Sequence, residues 1–128
     1  MQSQEEVKTV LLVEDFEDSR FMMRMLLEMS GYRVVEATDG REAVDCARRV
    51  CPDVILMDLS LPVMDGISAT RHIRRQENLC DVPVIAVTAH DSEDYYDAAR
   101  RAGCDEYVTK PVDYDRLDAL LARYCRTA

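Results

Sequence analysis

Carboxylate side chains follow two apolar segments of this chain and could together bind a cation or attack an electrophile. Glu14 and Asp15 come directly after the apolar residues 10–13, and Asp58 comes directly after residues 54–57. Short apolar runs bounded by polar loops are typical of buried strands. An ionised side chain at the end of a buried strand is costly unless it is paired, so these carboxylates indicate either structural caps or a chemical site.

Two further polar side chains end other apolar segments. Thr88 closes the run at residues 84–87, and Lys110 follows the segment 106–109. Lysine supplies a compact positive charge with three donors, and threonine supplies one hydroxyl. With Asp58 as a nucleophile, these groups match what phosphoryl transfer to an aspartate requires. The pattern therefore predicts Asp58 as an acceptor aspartate.

The three carboxylates would repel one another if they met in one patch. At about 4 Å and an effective dielectric constant of about 20, each like-charge pair costs about 4 kcal/mol. A hard cation removes that penalty, and oxygen ligands without a nearby His or Cys suit Mg²⁺. The sequence therefore predicts a magnesium site formed by carboxylates.

Five strands alternating with five helices are predicted from the spacing of apolar residues and from the turn signals between them. The predicted strands are residues 10–13, 34–37, 54–57, 84–87 and 106–109. Capping side chains predict where four helices begin, and two glycines predict where helices end: Asp39, Asp65, Ser92 and Asp113, then Gly31 and Gly103. Four residues of the first helix recur at helical spacing and are predicted to face the core, with methionine as an ordinary core filler: Met22, Met23, Leu26 and Leu27. The third helix, residues 67–76, is predicted to expose three arginines: Arg71, Arg74 and Arg75.

Strands that are apolar on both faces and separated by helices predict a parallel sheet covered on both sides, with right-handed crossovers. The predicted fold class is α/β, a doubly wound (βα)5 flavodoxin-like sandwich with a parallel five-stranded sheet, for which the order 2-1-3-4-5 known from flavodoxin-like folds is assumed. That order makes strands one, three, four and five contiguous, so their polar carboxyl ends would converge where open α/β sheets bind ligands. The second strand, which ends without a reactive residue, would be an edge.

Composition limits the classes of partner. The net charge of −9, from 25 acidic and 16 basic residues, argues against nucleic acid and anionic membranes as partners. Five cysteines form no Cys-x-x-Cys pair and leave one over in any disulfide scheme, which favours a reducing, cytoplasmic location. No apolar run approaches the ~18 residues that span a bilayer. The length of 128 residues suits a single domain, predicted at residues 7–126 after a flexible N-terminus at residues 1–6.

The same residues carry a resemblance to a known family, the receiver domain of two-component response regulators, of the single-domain chemotaxis type. The resemblance covers nearly the whole chain and rests on five spaced motifs: Glu14-Asp15, Asp58, Leu-Pro-x-Met-Asp-Gly at residues 61–66, Thr88-Ala89 and Lys110-Pro111. It implies that Asp58 accepts a phosphoryl group from a phosphohistidine on a sensor histidine kinase or a histidine phosphotransfer protein. It also implies a signalling domain that supports its own phosphoryl transfer and dephosphorylation, rather than an enzyme.

The resemblance further implies a ligand set for the cation. Mg²⁺ would be held by Asp15, Asp58 and the backbone carbonyl of Ser60, and Glu14 would act through a bridging water.

Phosphoryl recognition and switching are implied by the resemblance as well. Lys110 and Thr88 would contact the phosphoryl oxygens, and a cis peptide between Lys110 and Pro111 would aim the lysine. Tyr107 matches the family's switch aromatic, which turns inward as Thr88 moves. The implied partner surface is the face of the fourth helix, fifth strand and fifth helix, which carries four tyrosines: Tyr95, Tyr96, Tyr107 and Tyr114.

Two other functions stay open at this point. An aspartyl-phosphate phosphatase or phosphotransferase would also use an aspartate on a related sheet, but such enzymes generally carry a second acid two residues after the nucleophile, where this chain has Ser60. A constitutive docking domain would keep the fold without responding to phosphorylation.

The sequence fits a stand-alone regulator and equally a receiver excised from a larger protein such as a hybrid kinase. It names neither the cognate kinase nor the downstream target, and it leaves open the phosphoryl lifetime and phosphorylation-dependent dimerisation.

Three polar residues near these motifs receive other interpretations. His90, two residues after Thr88, either orders a water or shields the site, and it would then tune hydrolysis of the acyl phosphate. His72 is interpreted as a surface histidine. Asp65 precedes Gly66 at a helix start and is interpreted as a cap rather than a metal ligand.

Overall fold

Five strands and five α-helices alternate along residues 7–125, which are the residues that the computed structural model describes. The strands are β1 (Thr9–Val13), β2 (Arg33–Ala37), β3 (Val54–Met57), β4 (Val84–Thr88) and β5 (Glu106–Thr109). The helices are α1 (Glu17–Met29), α2 (Gly40–Val50), α3 (Gly66–Arg74), α4 (Glu93–Ala102) and α5 (Tyr114–Cys125), with a 3-10 turn at Glu77–Leu79. The predicted flexible segment 1–6 and the predicted domain end at residue 126 lie outside the described residues.

All strand pairs are parallel, and the sheet order is β2-β1-β3-β4-β5. This confirms the predicted fold class and strand order. Residues of α2, α3 and α4 pack on one face of the sheet, and residues of α1 and α5 pack on the other. All four residues of β3 are buried, because the strand is covered by helices on both faces. Continuous apolar runs, rather than alternating ones, are the consequence of this double cover.

The helix ends follow the predicted signals. The side chain of Asp39 accepts a hydrogen bond from the amide of Glu42 at 2.8 Å, which begins α2. Three further caps bond to amides in the same way: Asp65 to Ser68, Ser92 to Tyr95, and Asp113 to Arg116. Gly31 and Gly103 have φ values of +98° and +115°, which residues other than glycine rarely adopt. These local signals therefore fix where the chain enters and leaves each helix.

The buried stripe of α1 is narrower than predicted. Met23 and Leu27 are buried, but Met22 is 56% exposed, and Met25 and Met29 are exposed too. Helix α1 lies against the edge strand β2 and against β1, so a single row of side chains meets the sheet. The prediction that Met22 faces the core is therefore wrong, and the prediction for Met23 is confirmed.

Arg74 is a second departure from prediction. Its guanidinium is half-buried rather than exposed and donates to the carbonyl of Gly103 at 2.7 Å and to Asp105 at 3.0 Å. Arg71 and Arg75 are exposed, as predicted. Within residues 7–125, every helix is too short or too polar to cross a bilayer.

Candidate functional site

The carboxyl ends of four strands meet at one edge of the sheet. Glu14 and Asp15 follow β1, Asp58 follows β3, Thr88 ends β4 and Lys110 follows β5. Because β1, β3, β4 and β5 are neighbours in the sheet, residues far apart in the sequence come together here. Glu14, Asp15 and Asp58 each offer a carboxylate oxygen, and these oxygens lie within 4.8 Å of one another.

Asp58 is buried, with only 6% of its surface exposed. One carboxylate oxygen, Oδ1, accepts a hydrogen bond from the Ser60 amide at 3.0 Å, and Oδ2 accepts one from Lys110 Nζ at 3.3 Å. Burial raises the pKa of Asp58 above its ordinary value, and the nearby Glu14 charge adds to this, while the Ser60 amide and Lys110 act in the opposite direction. The carboxylate is thus desolvated but held by two donors.

Lys110 joins two of the carboxylates. Its ammonium donates to Glu14 Oε1 at 2.8 Å as well as to Asp58. Burial lowers the pKa of Lys110, but the hydrogen bond to Glu14 and the charges of Asp58 and Glu14 outweigh burial, so the pKa lies above its ordinary value. Lys110 is therefore a permanent cation at neutral pH. The Lys110–Pro111 peptide is cis, as predicted.

Glu14 is fixed through its backbone and its side chain. Its side chain is almost fully buried, and Oε2 accepts a hydrogen bond from the Phe16 amide at 3.1 Å. The backbone amide of Glu14 donates to the Ala37 carbonyl on β2 at 3.1 Å. Its backbone carbonyl accepts a hydrogen bond from Arg20 Nη1, also at 3.1 Å. Asp15, by contrast, is exposed.

The carboxylate group fits a hard divalent cation. All three members of the cluster offer oxygen, and neither His nor Cys belongs to it. Oxygen donors of this kind suit Mg²⁺, which is commonly bound by one or two carboxylates together with water and substrate oxygens. The chemistry of this donor set therefore agrees with the predicted metal.

A hydrogen-bonded network covers the neighbouring ends of β3 and β4. Thr88 is fully buried, and its hydroxyl oxygen accepts a hydrogen bond from the His90 amide at 3.2 Å. The His90 ring stacks on Tyr95 with centroids 4.0 Å apart, and its Nε2 lies 2.7 Å from the Ser60 hydroxyl oxygen. The hydroxyl of Tyr107 donates to the His90 carbonyl at 2.8 Å. The loops after β3 and β4 are thereby joined to each other and to β5.

Residues that the sequence interpretation kept out of the site lie outside it. Asp65 caps α3 through the Ser68 amide and is not part of the carboxylate cluster. His72 is exposed on α3. The sequence interpretation missed the contacts of Arg20 and the Ser60–His90 bond. A signal for Arg20 existed, because helical side chains tilt toward the N-terminus and its place in the first turns of α1 directs it at the end of β1.

Comparison with known proteins gives one family. The family model described as the response regulator receiver domain matches residues 10–122. The polar-differentiation response regulators DivK of Brucella ovis and Brucella anthropi are each 38% identical over 117 residues, which cover 91% of this chain and 95% of theirs.

Solved structures agree with the sequence comparison. The receiver domain of the sensor histidine kinase PA1611 of Pseudomonas aeruginosa PAO1 is 40% identical, with a TM-score of 0.89 over 95% of this chain and 100% of that chain. Its crystal structure has a magnesium ion coordinated in the active site cleft. The chemotaxis protein CheY4 of Vibrio cholerae is 30% identical, with a TM-score of 0.88 over 93% of this chain and 99% of that chain.

Proposed function

Because this chain belongs to the family of response regulator receiver domains, which serve as phosphoacceptors in two-component signalling, we propose that Asp58 is the residue that is phosphorylated. One observation carries the proposal. Within the carboxylate cluster, Asp58 is the buried member that follows the central strand β3, and its two oxygens are held by the Ser60 amide and by the Lys110 ammonium.

The proposed reaction is transfer from a phosphohistidine of a sensor histidine kinase or a histidine phosphotransfer protein. A carboxylate oxygen of Asp58 forms the new P–O bond while the P–N bond of the donor breaks and the donor imidazole leaves. Lys110 is placed to compensate negative charge on the phosphoryl oxygens, because its ammonium already lies between Glu14 and Asp58. The Thr88 hydroxyl would donate to the same oxygens once it rotates toward them.

We propose Mg²⁺ as the cofactor. Asp15, Asp58 and the Ser60 carbonyl would bind it directly, and Glu14 would act through water. When bound, the cation neutralises the carboxylates and the transferred phosphoryl oxygens. The clustered carboxylates and the magnesium ion in the P. aeruginosa receiver structure support this assignment.

Thr88 and Tyr107 are the proposed switch residues. The Tyr107 hydroxyl is bonded to the backbone of His90, which in turn bonds the Thr88 hydroxyl. Movement of Thr88 toward a phosphoryl group would break its bond with the His90 amide. The backbone of His90 would then be free to release the Tyr107 hydroxyl. The response would then reach the face formed by α4, β5 and α5, where Tyr96 packs edge-on against Tyr107 at 5.4 Å. We propose this face as the surface for a downstream partner.

The setting and fate of the phosphoryl group belong to the same proposal. All five cysteines are free, which supports a reducing, cytoplasmic setting. The domain would return to its resting state by hydrolysis of its own acyl phosphate.

Phosphorylation by a small acyl phosphate tests the proposal. With acetyl phosphate and Mg²⁺, intact-protein mass spectrometry is expected to show addition of one phosphoryl group, and Asp58→Asn is expected to show none. Asp65→Asn is the matched control, because asparagine also caps helices and Asp65 lies outside the carboxylate cluster. Equal labelling of Asp58→Asn and the wild-type protein would exclude Asp58 as the acceptor.

A further inference from the structure

Arg20 contacts the strand end that carries the acidic pair. Its Nη1 donates to the Glu14 carbonyl at 3.1 Å, and its Nε donates to Glu36 Oε1 on β2 at 2.7 Å. Only 17% of the Arg20 side chain is exposed. A guanidinium carries several donors in a fixed plane, so one side chain holds both acceptors in a defined relative position.

The carbonyl that Arg20 binds determines the orientation of the peptide that leads into Asp15. It belongs to the peptide unit that joins Glu14 to Asp15, and that unit is planar. When the oxygen is held, the plane of this peptide is held as well, and with it the position of the Asp15 backbone nitrogen and Cα. The side chain of Asp15 is exposed and forms no hydrogen bond or ion pair with the rest of residues 7–125. Its position consequently depends on how firmly the preceding peptide is held.

Glu36 holds Arg20 in place from the neighbouring strand. Glu36 lies on β2, which pairs with β1, the strand that Glu14 follows. In that register Leu12 lies beside Glu36 and Val13 lies beside Ala37. Glu36 also binds Arg24, from the next turn of α1. Burial raises the pKa of Glu36, but its hydrogen bonds with Arg20 and Arg24 lower the pKa below its ordinary value. Glu36 is therefore an ionised anchor for two arginines of α1.

We propose that Arg20 is a positioning residue for the cation site: by clamping the Glu14–Asp15 peptide to Glu36, it sets the affinity of the site for Mg²⁺. The proposal rests on the metal assignment made above for Asp15 and Asp58. Mg²⁺ demands near-ideal octahedral geometry, so a small displacement of one carboxylate weakens binding. Arg20 itself touches neither the cation nor the phosphoryl group.

Arg24 provides a matched control within the same helix. Both arginines bind Glu36, but only Arg20 reaches the Glu14 carbonyl. Arg20→Met and Arg24→Met each remove one charge and one contact with Glu36 while keeping a long side chain on α1. Arg24→Met also removes an exposed bond to Glu28. A loss of Mg²⁺ affinity that is confined to Arg20→Met therefore reports the contact with Glu14.

Isothermal titration with Mg²⁺ measures the proposed effect. The dissociation constant is expected to rise about tenfold in Arg20→Met, the lower end of the loss seen when a partner of a metal ligand is removed. The dissociation constant of Arg24→Met is expected to stay within about twofold of the wild-type value, because Arg20 keeps its bonds to Glu36 and to the Glu14 carbonyl in that variant. Glu36→Gln, which leaves Arg20 in the chain but weakens its anchor, is expected to fall between them and serves if Arg20→Met folds poorly.

Phosphorylation kinetics separate positioning from general damage. With acetyl phosphate, the Mg²⁺ concentration that gives half-maximal rate is expected to rise in Arg20→Met, while the rate at saturating Mg²⁺ stays that of the wild-type protein. Equal Mg²⁺ affinity in Arg20→Met and Arg24→Met would overturn this proposal and leave the proposed function intact. Failure of the wild-type protein to bind Mg²⁺ would overturn both the metal assignment and the role of Arg20.

Discussion

Opposing effects act on the pKa of the Asp58 carboxylate. Burial penalises its charge and raises its pKa, whereas the Ser60 amide and the Lys110 ammonium favour the ionised form. Those donors leave the carboxylate oriented but short of solvent, which is how active-site nucleophiles are commonly prepared. The shared lysine also means that Glu14 and Asp58 are not independent, because each competes for the same ammonium.

His90 is expected to slow hydrolysis of the phosphorylated aspartate. Its ring is stacked on Tyr95 and bonded to the Ser60 hydroxyl, so it closes the side of the site between the loops after β3 and β4. His90→Ala removes both contacts and admits water, and the rate of phosphoryl loss, followed by mass spectrometry after donor removal, is expected to rise several-fold. His72→Ala, at an exposed position on α3, is the control and is expected to leave that rate unchanged. A slower rate in His90→Ala would instead indicate that the imidazole orders the attacking water.

At the junction between β3 and α3 the backbones of two elements pack closely together. A Cβ atom added at Gly66 would lie 2.1 Å from the Asp58 carbonyl oxygen and 2.8 Å from Leu59 Cα. These are backbone atoms, which cannot move aside as a flexible side chain would. The start of α3 can therefore lie against Asp58 and Leu59 only because residue 66 has no side chain.

Gly66→Ala is expected to damage both stability and the site. The forced displacement should cost about 3 kcal/mol of unfolding free energy, at the upper end for overpacking, and should lower the phosphorylation rate because the Asp58 backbone must shift. Urea unfolding and acetyl phosphate labelling measure the two effects. Gly31→Ala is the control: nothing lies within 4 Å of its added Cβ, so only its positive φ is penalised, by about 1 kcal/mol, and labelling should be unchanged. Equal phosphorylation in Gly66→Ala and Gly31→Ala would show that the loop tolerates the displacement.

The excess of negative charge in this protein makes the carboxylate cluster at the sheet edge destabilising for the folded state. The chain carries a net charge of −9. Among residues 7–125, three carboxylates offer oxygens that lie within 4.8 Å of one another, and one ammonium, that of Lys110, binds two of them. The raised pKa of Asp58, caused mainly by burial, means that the native state binds the Asp58 proton more tightly than the unfolded state does. The associated stability is present below the ordinary pKa of aspartate and is lost as pH rises through the folded value. At neutral pH without a divalent cation, ionised Asp58 therefore destabilises the fold.

Asp58→Asn is accordingly expected to be more stable than the wild-type protein at pH 7 in the presence of a chelator, because asparagine carries no charge to be desolvated. Added Mg²⁺ should stabilise the wild-type protein by about 2.7 kcal/mol at 100 times the dissociation constant, and the variant by less. Thermal unfolding with and without Mg²⁺ measures both effects, with Asp65→Asn as the control that should follow the wild-type protein. A less stable Asp58→Asn would indicate that the hydrogen bonds of the carboxylate outweigh its desolvation.

The sequence by itself determined the elements and the reactive residues at the ends of the strands, whereas the strand order was taken from flavodoxin-like folds. Apolar runs, capping side chains and glycine stops are local properties, so β3, the caps such as Asp39 and the stop at Gly103 were predictable one segment at a time. Alternation of strands and helices then left few topologies, and the predicted order 2-1-3-4-5 placed Glu14, Asp15, Asp58 and Lys110 together.

Only the tertiary structure decided which face of α1 is buried and how the edge is supported. Met22 and Met23 are equally apolar, and the position of α1 over β1 and β2 alone determines that one is buried and the other exposed. The Arg20–Glu36 and Ser60–His90 bonds join residues 16 and 30 positions apart, and β2 contributes Glu36 although its end carries no reactive residue. Such contacts depend on how loops and helices pack, which local periodicity and capping do not specify.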